Sequence, residues 1–260
     1  MIEKENMKSL VKTFDILEMF LKGPEEISVT EVSKKLGLNK STCGRIMSKL
    51  VTRGYLKQIE SRGKYSLGTI FLEYSGIIKS RLKLRDVAMP HLFKLSRQSK
   101  ETAILAVLER GGSVITESFH DAAYLNSPLK VVPDEGINMP LYCTCLGKIF
   151  LANMTEDEIK EYYHNTKLEK RTANTLITPQ KINQQFKEIM EGEVAFDNEE
   201  YALGVRGVAS GLKNIEGKIV GSIGIVAPSV RMSVNDMPKL TPLIKSFALE
   251  ISRQMGYRGN

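Results

Sequence analysis

The chain has 260 residues, of which 42% are hydrophobic and 26% charged, and its formal net charge is +7. This is the composition of a globular protein, and the length favours two domains of ordinary size. No apolar run reaches the roughly 18 residues of a membrane helix, and the polar N-terminus excludes a secretion signal, so we expect a cytoplasmic protein.

The first predicted element is a helix over residues 7–22. Its apolar residues recur at the spacing of one helix face: Leu10, Phe14, Leu17 and Leu21. The Gly-Pro pair that follows ends this helix, because proline cannot continue it. A short second helix is predicted over residues 28–36. Ser28 and Glu31 have the spacing of a capping box at its start, and Gly37 closes it.

A third helix is predicted over residues 40–53, with Asn39 as its N-cap and Gly54 at its end. One face of this helix is apolar and carries Cys43, Ile46, Met47 and Leu50. At about 100° per residue, the opposite face carries Ser41, Arg45, Ser48 and Thr52. Two short segments of alternating pattern follow, YLKQIE and KYSLG, and the turn Ser61-Arg62-Gly63 between them predicts a hairpin.

The two short helices and the tight turn between them form a helix-turn-helix, and the hairpin supplies a wing. The small polar face of the third helix suits entry into the roughly 12 Å wide major groove. We therefore predict that these residues bind DNA: Lys40, Ser41, Thr42 and Arg45 on the helix, and Arg62 and Lys64 on the wing. The N-terminus of the helix can also receive a phosphate.

The positive charge supports the same interpretation. Residues 28–67 hold nine lysines and arginines against two acids, an excess of seven that equals the net charge of the whole chain. Such a cluster is expected for a polyanion partner, although a solvated lysine-rich surface explains the charge alone equally well. Gly44 is unusual inside a helix. Close approach of the DNA backbone and a neutral replacement are both open explanations.

The second half of the chain predicts an α+β domain. Residues 69–99 suggest one long helix, or two that break near Pro90. Its stretch 70–87 suits a linker helix that also packs on a partner, and a plain core helix is the alternative. The remaining predicted elements are strands in TAILAVLE, SVITESF, GVASGLKN and KIVGSIGIVA, and helices over residues 144–153, 155–163, 178–191 and 237–255.

Three segments resemble the IclR family of bacterial transcription regulators. LNKSTCGRIMSKLVTRGYL with KYSLG is similar to the family's recognition helix and wing. GINMPLYCTCLGKIFLA resembles one signature of the family's second domain, and DNEEYALGVRGVASGLKNIEGKIVGSIGIVAPSVRMS resembles another. The three occur in the family's order and extend over nearly the whole chain.

This resemblance implies a winged helix-turn-helix over residues 1–67, a linker helix over 68–85 and a GAF-like effector-binding domain over 86–260. Members typically bind palindromic operator DNA as homodimers or dimers of dimers, often as repressors. Their effectors are commonly small organic acids, sugar-acid breakdown products or aromatic compounds. The resemblance implies no enzyme activity, cofactor or metal. Whether the effector weakens or strengthens DNA binding stays open.

The resemblance also implies the residues of an effector pocket. Met139, Cys145 and Leu146 would line one side, Asp197 would lie at the polar end, and Gly207, Gly224 and Val226 would complete the wall. Relatives that bind small carboxylates often have cysteine or serine at the last three positions. Their replacement here removes hydrogen-bond donors, and we expect room for a larger or less polar ligand.

Two other groups of residues could carry chemistry. Cys143 and Cys145 could form a metal or redox pair, although sparse cysteines without disulfide spacing favour buried residues in a reducing compartment. Asp197, Glu199 and Glu200 could act as acid–base carboxylates. If their segment is extended, Glu199 lies on the side of Asp197 and Glu200 on the other. Arg206 is expected to pair with a carboxylate. A GAF-like sensing or redox enzyme, with a basic protein-docking module, is the alternative hypothesis.

Overall fold

The structure is a computed structural model that describes the backbone of residues 2–21, 23–59, 63–74, 83–109, 112–119 and 129–259. The chain divides into two compact units, Met1–Arg81 and Leu82–Asn260. The predicted linker helix falls partly outside the described residues, which include its residues 68–74 and the start of the helix Lys83–Ser99.

The first unit is a winged helix-turn-helix. Its elements are α1 (Ile2–Glu18), β1 (Ile27–Ser28), α2 (Val29–Leu36), α3 (Lys40–Thr52), β2 (Leu56–Ile59) and β3 (Lys64–Leu67). The three strands form an antiparallel sheet in the order β1-β3-β2. The three helices and the hairpin are confirmed, whereas the two-residue strand β1 was not predicted. Its buried Ile27 packs with Val32 and Met47 in the core of the unit.

The first helix ends at Glu18, so the predicted end at residue 22 is wrong. The amide of Phe20 donates to the carbonyl of Leu17 at 3.2 Å, and that of Leu21 donates to Glu18 at 3.1 Å. These short-range bonds tighten the last turn. Gly23 lies so close to this turn that a Cβ atom there would be 2.3 Å from the Met19 carbonyl oxygen.

The end of α3 and the segment after the wing are in direct contact. Gly54 has φ +77°, and a Cβ atom on Gly68 would lie 1.9 Å from the Gly54 carbonyl oxygen. The ring of Tyr55 meets Phe71 edge-on at 5.7 Å and stacks on Tyr74 at 6.3 Å. The hydroxyls of Tyr55 and Tyr74 are 3.0 Å apart. The helical segment 70–74 is therefore attached to the base of the wing.

The second unit is built on one antiparallel sheet. Its helices are α4 (Lys83–Ser99), α5 (Cys145–Ala152), α6 (Glu156–Asn165), α7 (Pro179–Gln184), α8 (Phe186–Gly192) and α9 (Thr241–Gln254), with a 3-10 turn at Met237–Leu240. Its strands are β4 (Thr102–Glu109), β5 (Gly112–Phe119), β6 (Asn138–Met139), β7 (Val194–Asn198), β8 (Val205–Lys213) and β9 (Ile219–Pro228). The strand order is β6-β5-β4-β9-β8-β7.

Helices cover both faces of this sheet, as in the GAF-like α+β domain that the resemblance implies. Alternate residues of each strand point to opposite faces. Val208 belongs to the core beneath α4 and α9, whereas Ala209 belongs to the core beneath α5 and its neighbours. The four predicted strands are confirmed, and the edge strands β6 and β7 were not predicted.

Of the two alternatives left open at Pro90, the break is excluded, because helix α4 continues through this residue. Pro90 lies on the exposed side, where water can bind the carbonyl left without a donor. Two other predicted helices have different bounds in the structure. The predicted helix over 178–191 is two helices, Pro179–Gln184 and Phe186–Gly192, which meet at Gln185. The closing helix begins as a 3-10 turn, because Pro242 has no amide for the carbonyl of Pro238.

Candidate functional site

The turn of the helix-turn-helix is held by side chains on both sides of α2. The Ser28 amide donates to Glu31 Oε2 at 2.7 Å, and the Glu31 amide donates to Ser28 Oγ at 3.3 Å, which confirms the capping box. Gly37 ends the helix in the left-handed region with φ +63°. Ser33 Oγ donates to the Leu38 carbonyl at 2.6 Å across the turn. These contacts set the position at which α3 begins.

Helix α3 separates its two faces as predicted. Cys43, Ile46, Met47 and Leu50 are buried, whereas Lys40, Ser41 and Arg45 are exposed and Thr42 is half-buried. The exposed side chains occupy the first six residues of the helix, which is the part of a recognition helix that reaches base edges.

The N-terminus of α3 differs from the prediction in one respect. Asn39 occupies the N-cap position with an extended backbone, but its side chain makes no capping hydrogen bond. The first amides of an α-helix have no partner within the helix and carry a partial positive charge. Without a side-chain cap, those of α3 can donate to a phosphate oxygen.

The wing is described only in part. Lys64 begins β3 opposite Ile59, and its Nζ lies 4.0 Å from Glu26 Oε2, with a side chain that is 40% exposed. Gly63 precedes it in the left-handed region. Arg62, the other residue predicted on the wing, lies outside the described residues.

Gly44→Ala is expected to raise the free energy of unfolding by about 0.5–1 kcal/mol, because alanine favours helix and nothing lies within 4 Å of a Cβ atom there. Gly63→Ala is the matched control. Its site is equally open, but φ is +59°, so the same substitution should destabilise the protein. Chemical denaturation measures both. A loss of DNA affinity in the stabilised Gly44 variant would favour close approach of the DNA backbone, and unchanged affinity would favour a neutral replacement.

The residues predicted for the effector pocket come together on the α5 side of the second sheet. The strand register places Asp197 opposite Gly207, and Gly207 opposite Val226. Opposed residues of neighbouring strands share a face, so these three form a row across the sheet. Gly224 lies two residues from Val226 on the same face. Cys145 and Leu146 of α5 cover the row, with Met139 packed against the same core.

The room expected at the two glycines is already filled. A Cβ atom at Gly207 would lie 2.6 Å from Cys145 Sγ, and one at Gly224 would lie 3.1 Å from Leu146 Cδ2. The expectation of extra space at these positions is therefore wrong, because α5 packs its own side chains into it. The thiol of Cys145 occupies the place that a side chain at residue 207 would take.

Asp197 is the buried acid of this site. Its Oδ1 accepts hydrogen bonds from the amides of Glu200 at 2.8 Å and Tyr201 at 3.4 Å. Burial is the largest influence and raises the pKa of Asp197 to about 7, while the charge of Lys148 opposes this and that of Glu200 adds to it. A carboxyl group with this pKa is partly protonated near neutral pH, so it can donate as well as accept a hydrogen bond.

The carboxylates near Asp197 are not placed by alternation as predicted. Strand β7 ends at Asn198, and Glu199 adopts a left-handed φ of +57°, so the chain turns back. Glu200 therefore lies beside Asp197 rather than across the sheet from it. Glu199 instead binds Arg206, whose Nη2 lies 2.7 Å from Glu199 Oε1, which confirms a structural pairing for that arginine.

A buried ion pair next to Asp197 was not predicted. Lys148 Nζ lies 2.6 Å from Glu200 Oε1 and donates to Gln185 Oε1 at 3.1 Å, and both charged side chains are more than nine-tenths buried. Glu200 Oε2 is buried and has no hydrogen-bond partner among the described residues. A lysine inside the otherwise apolar stretch CLGKIFLA is the sequence signal that could have indicated such a pair.

The two neighbouring cysteines lack the properties of reactive thiols. Burial raises the pKa of Cys143 to about 12 and also raises that of Cys145, whereas nucleophilic cysteines have lowered pKa values. Among the described residues, no group of three or more His, Cys, Asp or Glu side chains is arranged to hold a metal ion. Nor does that part of the chain contain a helix with the length and apolar character needed to cross a membrane.

Asp197→Asn is expected to change how stability depends on pH. Between about pH 4 and 7 the folded protein keeps the Asp197 proton that the unfolded chain, with its ordinary pKa of 3.8, has lost. The contribution of Asp197 to the free energy of unfolding is fully present below that interval, and it falls by up to about 1.4 kcal/mol per pH unit within it. Asparagine cannot ionise. Urea denaturation should therefore show that the free energy of unfolding of the variant rises relative to that of the parent protein from pH 5 to pH 8.

A second aspartate provides the control for this measurement. The pKa of Asp236 is lowered to about 2 by its hydrogen bonds from Lys239 and Ser233, so Asp236→Asn should have the same effect at pH 5 and pH 8. A constant difference between the Asp197 variant and the parent protein over this interval would show that Asp197 ionises like a surface carboxylate.

Two family profiles match the chain. The profile described as the IclR helix-turn-helix domain matches residues 9–60, and the profile described as the bacterial transcriptional regulator IclR C-terminal domain matches residues 78–253. The two matches correspond to the winged helix-turn-helix and to the unit built on the six-stranded sheet.

Individual regulators match over almost the whole chain. The DNA-binding transcriptional repressor YiaJ of Escherichia coli is 27% identical over 252 residues, 96% of this chain and 88% of the repressor. The crystal structure of the Thermotoga maritima IclR is 27% identical with a TM-score of 0.72, over 96% of this chain and all of that one. An IclR homologue from Microbacterium hydrocarbonoxydans, crystallised with 4-hydroxybenzoate, is 19% identical with a TM-score of 0.77. The match covers 95% of this chain and 98% of the homologue.

Proposed function

This chain belongs to the IclR family of bacterial transcriptional regulators, and from that premise we propose that it is an effector-controlled repressor of palindromic operators. The observation that carries the DNA-binding role is α3, whose exposed first turns are basic and polar while its other face is buried. We assign no catalytic role to any residue.

Some residues of α3 position the helix on the DNA backbone, and others recognise the bases. Lys40, Ser41 and Thr42 lie at the N-terminus of the helix, where a phosphate can also accept hydrogen bonds from the uncapped backbone amides. Arg45 lies one turn further on, and its planar guanidinium can bind a guanine edge with two hydrogen bonds. Arg62 and Lys64 of the wing bind a flanking phosphate or the minor groove.

The effector binds beside the row Asp197, Gly207 and Val226, in space that opens when Cys145 and Leu146 of α5 move away from the two glycines. Met139, Cys145, Leu146 and Gly224 form the rest of the wall. The apolar wall favours a ligand with a hydrocarbon or aromatic body. A protonated Asp197 can donate a hydrogen bond to a ligand carboxylate, and the homologue bound to 4-hydroxybenzoate supports an acid of this kind.

The protein works as a dimer or a dimer of dimers, so that two recognition helices meet two half-sites. Helix α1 supports this proposal. Leu10, Val11 and Phe14 lie on it, and each is more than half exposed. An apolar surface of this kind suits contact with a second copy of the chain. The effector acts by changing the relative placement of two DNA-binding units, because the spacing of half-sites is rigid.

The test is a fluorescence-anisotropy titration with the DNA upstream of the protein's own gene, against a scrambled duplex of equal length. We expect binding at least a hundredfold tighter to the upstream DNA. Sedimentation of the protein with and without this duplex should show at least two chains per operator. Equal, micromolar binding to both duplexes would contradict the proposed function.

A further inference from the structure

A cavity lies at the edge of the large sheet, away from the row around Asp197. Strand β7 pairs with β8 only up to the pair Val194 and Ser210, so the residues of β8 beyond Ser210 extend past the end of β7. The cavity opens beside this gap, between α5 and α8 on one side and α9 on the other. Its volume is about 360 Å³, which falls in the range of small-molecule sites.

Among the described residues that line this cavity, two lysines and one carboxylate carry charge. Lys213 Nζ of β8 lies 2.5 Å from Glu193 Oε1, and Lys245 Nζ of α9 lies 3.3 Å from Glu193 Oε2. Both oxygens of Glu193 are thus engaged, and one positive charge is left over. Each ammonium group carries three donors, so both lysines can bind a further anion.

The floor of the cavity is apolar. Gly211 has no side chain, and a Cβ atom there would lie 2.6 Å from Ile219 Cδ1 and 3.1 Å from Ile149 Cγ2. The two isoleucines therefore pack directly on the β8 backbone at Gly211. Ile189 and Met190 of α8 extend the apolar lining. At the ~30 Å³ that a molecule of liquid water occupies, the cavity has room for roughly twelve non-hydrogen atoms.

We propose that this cavity binds a monoanionic amphipathic carboxylate, with its head group on Lys213 and Lys245 and its hydrocarbon body over Ile149 and Ile219. A carboxylate satisfies the unbalanced positive charge, and an alkyl chain buries against the apolar floor. A neutral alcohol of the same length satisfies only the second requirement. The saturated eight-carbon acid has ten non-hydrogen atoms and fits the available volume.

The site shares two structural elements with the proposed effector pocket. Ile149 lies one turn along α5 from Cys145, and Ser210 lies three residues along β8 from Gly207. Three residues of strand span about 10 Å. A ligand in the edge cavity therefore lies about 10 Å from the effector pocket along β8, and the shared elements α5 and β8 allow it to act as a second input to the regulator.

The experiment is isothermal titration calorimetry of the full-length protein with sodium octanoate. We expect saturable binding of one octanoate per chain and at least tenfold weaker binding of 1-octanol. Lys213→Met and Lys245→Met should each weaken octanoate binding at least tenfold. Met190→Glu should have a similar effect, because it adds a negative charge at the cavity without removing the ion pairs, and so covers the case in which a lysine variant fails to fold.

Lys239→Met is the matched control, since Lys239 is an exposed lysine that pairs with Asp236 at 2.7 Å and does not line the cavity. It should leave octanoate binding within twofold. The proposal is overturned if no saturable binding occurs up to millimolar octanoate, or if the folded lysine variants bind normally. It is also overturned if Asp197→Asn abolishes binding while Lys213→Met does not, because octanoate would then occupy the effector pocket. None of these outcomes bears on operator binding.

Discussion

Lys148→Met is expected to lower the free energy of unfolding of the effector-binding unit by about 3–5 kcal/mol. The side chain of Lys148 is 2% exposed, and its ammonium is 2.6 Å from Glu200 Oε1. Methionine keeps the shape of the chain but removes the charge, so it leaves the Glu200 carboxylate buried without a cation. Urea denaturation followed by circular dichroism measures the loss.

The buried pair has two controls. Lys160→Met removes an exposed lysine that pairs with Asp157 at 3.1 Å, and it should change stability by less than about 1 kcal/mol. The double variant Lys148→Met with Glu200→Gln leaves no uncompensated charge and should recover much of the loss. A single variant as stable as the parent protein would mean that water or another cation reaches Glu200.

Arg45→Ala is expected to weaken binding to the operator by about 1–3 kcal/mol, or roughly five- to 150-fold, while non-specific binding changes much less. Arg45 is exposed on the recognition face of α3, and alanine preserves the helix. Anisotropy titrations on the operator and on variants with single base-pair changes measure the effect. Specificity should relax at one position of each half-site.

Lys40→Ala gives the contrasting result, because a phosphate contact carries no sequence information. The loss of affinity should be similar on every duplex. The substitution should also reduce the magnitude of the slope of log affinity against log salt by about one. Arg253→Ala, an exposed arginine of α9, is the neutral control. If Arg45→Ala weakened all duplexes equally and reduced the salt slope, Arg45 would bind a phosphate.

The helix-turn-helix could be predicted from the sequence because its signals are local. The Ser28–Glu31 capping box and the left-handed Gly37 lie within the segments they terminate, and each is present as expected. The apolar spacing from Cys43 to Leu50 likewise defines the buried face of α3 without reference to another element. Only the capping bond of Asn39 is missing, at an end where a phosphate can take its place.

The effector-binding unit was harder to predict because its site depends on distant contacts. The resemblance placed Asp197 and Gly207 correctly in one group, but the packing of Cys145 into the space at Gly207 joins residues more than 60 positions apart. Lys148 and Glu200 meet across 52 positions. The left-handed Glu199 reverses the expected sides of its neighbours. None of these contacts has a signal in local periodicity.

The contact between Gly54 and Gly68 has a mechanical consequence. Gly54 lies two residues after α3 and Gly68 lies two residues before the helical segment 70–74, with no room for a methyl group on Gly68. Two backbone segments packed this closely leave little room for movement against each other. We therefore expect a movement of residues 70–74 to be passed on to the end of α3 through the Gly54–Gly68 contact and the ring of Tyr55.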